Sequence, residues 1–178
     1  MPKFSCTTVL LSLLLMLSTN NVQASTTETT ADVLRIAIPA AAWGLSQYYA
    51  DDEGTKQFYY GFATNIAVTY GLKMAISKQR PNGEDDDAFP SGHASMAFQG
   101  AAFIQQRYGW KQGAAAYALA TYVGYSRVKT DQHDSRDVLA GAAVGILSSY
   151  FFTTRYQGFA IQPYATSNML GLNISKRW

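Results

Sequence analysis

The stretch "FPSGHASMAFQGAAFIQQRY", residues 89–108, changes abruptly from turn-forming residues to helix-forming ones. Pro90, Ser91 and Gly92 interrupt regular structure, and small and apolar residues follow them directly. This pattern predicts a helix over 92–108 with His93 in its first turn. Because backbone N–H groups and the positive end of the helix dipole meet there, the helix start is a candidate anion site. His93 can donate a proton to a group bound there, although a capped helix start with an incidental histidine is the simpler alternative.

Four more segments have the composition of helices. They are rich in Ala, Leu, Tyr and Phe, and we predict helices near 32–50, 57–78, 111–126 and 134–153. Turn-forming residues separate the segments at 51–54, 80–87 and 108–113. No repeat or low-complexity linker divides the chain. We therefore predict one all-α domain, a helical bundle of about five to six helices.

The C-terminal segment has a different pattern. Residues 159–164 and 169–178 alternate apolar and polar residues around a Thr-Ser-Asn turn. This alternation predicts a short β-hairpin appended to the bundle.

The N-terminus has the pattern of an export signal. Lys3 supplies a positive charge, an apolar run spans 9–17, and "VQA" at 22–24 fits a cleavage site. We predict a signal peptide over 1–24 and a mature domain over 25–178, in the bacterial periplasm or at the periplasmic face of the membrane. The single cysteine, Cys6, lies in the signal, so we expect no disulfide in the mature chain.

Composition restricts the class of partner. Of the 178 residues, 48% are hydrophobic and 15% are charged, and the net charge is +2. A charge this small, without a basic stripe, argues against nucleic acid as a partner. Most charge-free stretches are shorter than the roughly 20 residues that span a bilayer. This favours a soluble or peripheral bundle, with a compact integral bundle as the alternative because small residues also pack tightly in lipid. The sequence specifies no oligomeric state.

Two further clusters carry residues suited to chemistry. Lys73 and Arg80 are about two helical turns apart, which predicts that both lie on one helix face. The i,i+4 spacing of His133 and Asp137 predicts that both lie on one helix face. The carboxylate can then fix the imidazole tautomer and leave the other nitrogen as a base or nucleophile. Arg127 precedes His133 by a short turn and can clamp an oxyanion. Taken alone, each cluster also fits an ordinary charged helix end.

Taken together, the clusters favour phosphoryl transfer. The chain has two histidines, and each lies near basic residues in one of these clusters. A basic cradle, a helix start and a His–Asp pair are the groups that reaction through a covalent histidine requires. Two histidines without cysteines or a nearby carboxylate cluster do not predict a metal site. We therefore expect no metal and no cofactor.

Three motifs occur in order, and they are Lys73-x6-Arg80-Pro81, Pro90-Ser91-Gly92-His93 and Ser126-Arg127-x5-His133-x3-Asp137. This set, within 73–137, resembles the type 2 phosphatidic acid phosphatase family, whose site is similar to those of vanadium haloperoxidases and bacterial class A acid phosphatases. The resemblance implies that His133 is the nucleophile, that Asp137 orients it and that His93 protonates the leaving group. It also implies a set of phosphate-binding residues, namely Lys73, Arg80, Ser91, Gly92 and Arg127.

The resemblance implies a phosphatase whose partner is a phosphorylated lipid or a small phosphoester, with a membrane surface as a possible location. The first hypothesis is a lipid phosphate or pyrophosphate such as undecaprenyl pyrophosphate, phosphatidate or phosphatidylglycerol phosphate. The alternatives are a non-specific periplasmic acid phosphatase for soluble monoesters and a vanadate-dependent haloperoxidase, although haloperoxidase chains are usually much larger. Vanadate is otherwise expected only as a phosphate mimic. A non-catalytic relic is disfavoured because every motif position is present.

An acidic loop at 84–87, "EDDD", lies between the first two motifs. Charge runs of this kind are usually solvated. Near an anion site, the loop can instead change substrate preference or salt dependence.

Overall fold

The computed structural model describes residues 26–157, 159–166 and 169–176. The predicted signal peptide, 1–24, lies outside the described residues. Within them, five helices follow one another, namely α1 (Thr26–Tyr48), α2 (Asp52–Ala75), α3 (Gly92–Tyr108), α4 (Trp110–Lys129) and α5 (Ser135–Tyr150). The prediction of an all-α bundle is confirmed.

The start of α2 lies earlier than the sequence predicts. The Asp51 side chain accepts a hydrogen bond from the N–H of Gly54 at 2.9 Å and thereby caps the helix. Asp52 and Glu53 lie in the first turn, where negative charge is favourable at the positive end of the helix dipole. Residues 51–54 therefore form the cap and first turn of α2. They do not form the turn between two helices that the sequence predicts.

α1 also begins earlier, because the polar segment before Asp32 is helical. The hydroxyl of Ser126, in α4, donates to the carbonyl of Thr27 at 3.2 Å and ties the first turn of α1 to the bundle. This extension brings Glu28 and Asp32 to the C-terminal end of α4, where Arg127 lies.

α3 is the centre of the bundle and contacts each of the other four helices. α5 lies directly against its start, since a Cβ atom added at Gly141 would lie 2.3 Å from the Ser91 carbonyl oxygen. Farther along α3, the fully buried Phe103 packs edge-to-face with Phe58 of α2, with ring centroids 5.3 Å apart. This packing fixes the start of α3 relative to α2 and α5, the helices that flank the predicted site.

Two strands follow the bundle. β1 (Phe159–Thr166) pairs antiparallel with β2 (Met169–Lys176), with Phe159 opposite Lys176 and Thr166 opposite Met169. The strands occupy the segment in which the sequence predicts a hairpin, and residues 167 and 168 of the predicted turn lie outside the described residues.

Candidate active site

The segment between α2 and α3 folds back on itself beside the start of α3. The N–H of Lys78 donates to the carbonyl of Asp86, and the N–H of Arg80 donates to that of Asp85, both at 2.9 Å. The N–H of Ala88 donates to the carbonyl of Lys78, also at 2.9 Å. These bonds fix Arg80 and the Ala88 peptide relative to each other.

The prediction that Lys73 and Arg80 share a helix face is wrong, because α2 ends at Ala75 and the backbone of Ile76 is extended. Lys73 lies in the last turn of α2 and Arg80 lies in the loop. The loop nevertheless brings both cations to one carboxylate. Lys73 Nζ is 3.5 Å from Asp87 Oδ2, and Arg80 Nη2 donates to Asp87 Oδ1 at 2.7 Å.

The acidic loop is therefore turned toward the predicted anion site. Asp85 accepts a hydrogen bond from Arg80 Nε at 2.5 Å, and Arg80 Nη1 donates to Gln132 Oε1 at 2.8 Å. Two carboxylates thus hold the guanidinium of Arg80 from the loop side. An anion that binds Arg80 must compete with both of them.

Ser91 and Gly92 lie at the start of α3, as predicted. The buried hydroxyl of Ser91 caps the helix by accepting a bond from the N–H of Ala94 at 3.4 Å. The N–H of Ser91 donates to the carbonyl of Asp137 at 2.9 Å, which links this turn to α5. A Cβ added at Gly92 would lie 3.9 Å from Lys73 Cε, so the lysine chain passes over the helix start.

His93 contacts a carboxylate that the sequence analysis missed. Its Nε2 atom lies 2.7 Å from Asp32 Oδ1 and 3.4 Å from Arg127 Nη1. Burial, followed by the positive charges of Arg127 and Arg35, lowers the pKa of His93 to about 4, although Asp32 acts in the opposite direction. In the sequence, Asp32 is simply an acidic residue at the start of a predicted helix, and this position does not indicate a contact with His93.

Arg127 is buried and faces α1. Its Nη1 atom lies 3.6 Å from Asp32 Oδ1 and 3.9 Å from Glu28 Oε1. Its Nη2 atom donates to the Glu28 carbonyl and the Ser126 hydroxyl, at 3.4 and 3.3 Å. Burial lowers the pKa of this guanidinium. Like Arg80, Arg127 is a cation held by carboxylates that a stronger anion can displace.

His133 precedes α5, which begins at Ser135, so the prediction that His133 and Asp137 share a helix face is wrong. The Nδ1 atom of His133 lies 2.8 Å from the Ala88 carbonyl oxygen but 3.8 Å from Asp137 Oδ2. A carbonyl only accepts hydrogen bonds, so Nδ1 carries the proton and Nε2 is left as the free nitrogen. The direct bond that fixes this tautomer therefore comes from a backbone carbonyl rather than from Asp137.

Asp137 has other partners for its carboxylate. Its Oδ2 atom accepts from the N–H of Asp134, which closes a capping box at the start of α5. Its Oδ1 atom lies 2.5 Å from Lys78 Nζ, and Lys78 also contacts Asp134 at 2.7 Å. Burial acts to lower the pKa of Lys78, but the hydrogen bonds that it donates to the two aspartates leave the pKa raised. The sequence analysis did not identify Lys78 as a site residue, because it occupies one of the unspecified positions between Lys73 and Arg80.

The cations act on both histidines. Burial, followed by the charge of Arg80, lowers the pKa of His133 to about 4, and Lys73 acts in the same direction. Lys73, Arg80, Arg127 and the two histidines therefore lie at one site, at the junction of α2, α3, α4 and α5. Among the residues that the structure describes, no group of three or more His, Cys, Asp or Glu side chains is placed to hold a metal ion.

The chain is similar to a known protein family and to known structures. Residues 13–160 match the family model of the PAP2 superfamily, and the chain belongs to that family. The resemblance inferred from the three motifs is thereby confirmed, as is the prediction that the protein is a phosphatase.

Two curated relatives and one crystal structure are similar to the chain over different shares of its length. The lipid A 4'-phosphatase of Helicobacter pylori is 31% identical, and the match covers 85% of each chain. The lipid A 1-phosphatase of Porphyromonas gingivalis is 38% identical over 48% of this chain, which spans 21% of that relative's length. The crystal structure of Aquifex aeolicus LpxE has a TM-score of 0.53 and 21% identity, with 84% of this chain and 95% of that one covered. The last similarity concerns the fold.

Proposed function

We propose that the protein removes a phosphate group from a lipid phosphate through a phosphohistidine intermediate, with lipid A as the first candidate substrate. The observation that carries the proposal is the convergence of three cations on two histidines with low pKa values. The lipid assignment is supported by the similarity to a lipid A 4'-phosphatase over most of both chains.

His133 is the nucleophile in this mechanism. Because its Nδ1–H donates to the Ala88 carbonyl, the lone pair of Nε2 is free to attack phosphorus. The low pKa keeps this nitrogen unprotonated over most of the physiological pH range. The P–Nε2 bond forms as the bond between phosphorus and the leaving oxygen breaks, and the positive charge of the imidazole is stabilised by Asp137 at 3.8 Å.

His93 supplies the proton for the leaving oxygen. Burial and Arg127 keep the pKa of His93 low. A phosphate dianion brings two negative charges close to the imidazole and raises that pKa, so His93 becomes protonated when the substrate binds. In the second step, neutral His93 accepts a proton from the water that attacks the phosphohistidine, and inorganic phosphate is released.

Lys73, Arg80 and Arg127 bind the phosphoryl oxygens, together with the backbone N–H at Gly92. In the structure these cations contact Asp87, Asp85, Glu28 and Asp32. Substrate binding exchanges these carboxylates for phosphate oxygens, which carry more negative charge. The free energy of binding is therefore the difference between the cation–phosphate pairs that form and the cation–carboxylate pairs that break. Only the cation–phosphate pairs stabilise charge in the transition state.

A membrane surface is the proposed location. Large apolar side chains project from the bundle, including Tyr48 at 81% and Met74 at 85% exposure. No described helix combines the length and apolar character that crossing a membrane requires. We infer that the protein acts at a lipid surface of the bacterial envelope, on its periplasmic side.

Phosphate release by the full chain tests the proposal. The substrates are lipid A, undecaprenyl pyrophosphate, phosphatidate and a soluble aryl phosphate, each with wild type and His133→Ala in the presence of a chelator. We expect release from lipid A to be fastest and to be lost in His133→Ala. Faster release from the aryl phosphate than from every lipid would support the soluble-monoester alternative instead.

A further inference from the structure

Two neighbouring cavities lie along α1 and α2 beside the phosphate site, and we refer to them together as the crevice. Its inner part is a cavity of about 60 Å³ bordered by Lys73 and Gly92, with Arg35 and Asn65 farther in. Its outer part is a cavity of about 320 Å³, and Met96 of α3 borders both parts. The crevice therefore begins at the residues that bind phosphate and continues along the same two helices.

The lining of the crevice changes from charged to apolar with distance from the phosphate site. α1 and α2 run antiparallel, so that Arg35 and Lys73 border the inner cavity, while Trp43 and Phe58 border the outer one. Lys73 and Phe58 are fifteen positions apart, which corresponds to a length of about 22 Å along α2. A ligand that fills the crevice must have an anionic group at one end and an apolar chain at the other.

Polar groups without partners lie in the inner cavity. The side chain of Asn65 is fully buried, and neither its amide nitrogen nor its amide oxygen has a hydrogen-bond partner among the described residues. The Nε atom of Arg35 is also buried and has no partner in this part of the chain. Leaving such groups unpaired destabilises a fold unless water or a ligand completes their bonds. The mechanism proposed above uses neither residue.

We propose that this crevice is the subsite for the lipid part of the substrate. Asn65 and Arg35 bind hydroxyl or amide groups next to the phosphate, and the outer groove binds one acyl chain against Trp43 and Phe58. This proposal rests on the proposed function. It adds to that function the part of the protein that selects one lipid phosphate over another. The occupant is a lipid phosphate because cations border the inner cavity, apolar side chains border the outer one, and Met96 borders both.

Filling the groove tests its role in catalysis. Ala40 lines the outer cavity, and Ala41 is also exposed on α1 but does not line it. With dioctanoyl and dibutanoyl phosphatidate as substrates, we expect Ala40→Phe to lower the long-chain to short-chain ratio of kcat/KM at least tenfold. Ala41→Phe should leave the ratio unchanged. Equal ratios in wild type and Ala40→Phe would overturn the proposal.

The substitution Asn65→Leu distinguishes a role of Asn65 in substrate binding from a role in stability. This substitution keeps the approximate volume and removes the unpaired amide, so we expect the same or a higher Tm. We also expect at least a tenfold higher KM for a lipid phosphate that carries a hydroxyl or amide beside the phosphate. A lower Tm with unchanged KM would show that Asn65 has only a structural role and would contradict the proposal.

A binding measurement distinguishes failure of the subsite from failure of the proposed function. Trp43 is made the sole tryptophan by Trp110→Phe and Trp178→Phe, and its fluorescence is followed with an alkylphosphonate brominated on its acyl chain. Because the phosphonate cannot be hydrolysed, quenching reports binding alone. We expect quenching that Ala40→Phe reduces and that a neutral brominated lipid does not reproduce. Equal quenching by the neutral lipid would overturn the subsite, even if wild type hydrolyses lipid phosphates.

Discussion

Asp32 Oδ1 lies 2.7 Å from His93 Nε2, so a carboxylate from α1 contacts the nitrogen that we assign as the proton donor. Asp32 acts to raise the pKa of His93 against the effects of burial and Arg127. This contact makes α1 part of the active site. It also makes the protonation of His93 depend on a residue outside the three motifs.

Asp32→Asn should shift the pH dependence of the reaction. Removal of the negative charge lowers the pKa of His93 further, so the alkaline limb of kcat, which reports His93 in the enzyme–substrate complex, should move to lower pH. The pH–rate profile of the variant is compared with that of Asp52→Asn, which changes an exposed aspartate at the start of α2. An alkaline limb that stays in place in Asp32→Asn would contradict the assigned role.

The low pKa of His133 should make folding less stable in acid. Its folded pKa of about 4 lies below the ordinary histidine value of about 6.5, so the unfolded chain binds a proton first as the pH falls. Stability from this residue is complete above about pH 6.5 and is lost toward pH 4, with a contribution of up to about 3 kcal/mol. Urea denaturation at pH 7 and pH 4.5 should show a smaller acid-induced loss in His133→Gln than in wild type. An equal loss would mean that the folded pKa is not depressed.

Lys78→Met should destabilise the protein through Asp137. The carboxylate of Asp137 is fully buried and would lose its 2.5 Å contact with an ammonium group. We expect a loss of about 2 kcal/mol in the free energy of unfolding, measured by urea denaturation. The exposed Lys111, changed to Met, serves as the control. Similar stability of both variants would show that Lys78 is not needed to compensate the buried charge.

Neutralising the acidic loop should affect substrate binding more than turnover. Asp85 and Asp87 contact Arg80 and compete with the substrate for it. In the double variant Asp85→Asn/Asp87→Asn, we therefore expect a severalfold lower KM and a changed salt dependence, with kcat changed less. Asp86→Asn is the control, because Asp86 contributes a backbone bond to Lys78. A KM that does not differ between the double variant and the control would argue against competition by the loop.

Much of the site could be predicted because chain spacing brings its residues together. Ser91, Gly92 and His93 lie at a helix start that turn-forming residues mark, and α3 has the predicted bounds 92–108. The positions of the cations could be predicted from their motifs, but not their geometry. Arg80 reaches the site through a folded-back loop, since α2 ends five residues earlier.

Contacts between residues that are distant in sequence could not be predicted from local sequence patterns. Asp32 reaches His93 over 61 positions in sequence, and Lys78 reaches Asp137 over 59. The Ala88 carbonyl is a backbone group, which no residue pattern identifies as a partner for His133. These contacts depend on how α1 and the loop pack against α3 and α5, and that packing is set by close approaches such as Gly141 on Ser91.

The central claim is that His133 forms a covalent bond to phosphorus. The most direct test is to mix the full chain with a ³²P-labelled lipid phosphate, quench the reaction in alkali within milliseconds, and map the protein-bound label by peptide sequencing. The account predicts label on His133, which is absent in His133→Ala and retained in Lys111→Met. Label on His93, or substrate turnover by wild type without any protein-bound label, would contradict it.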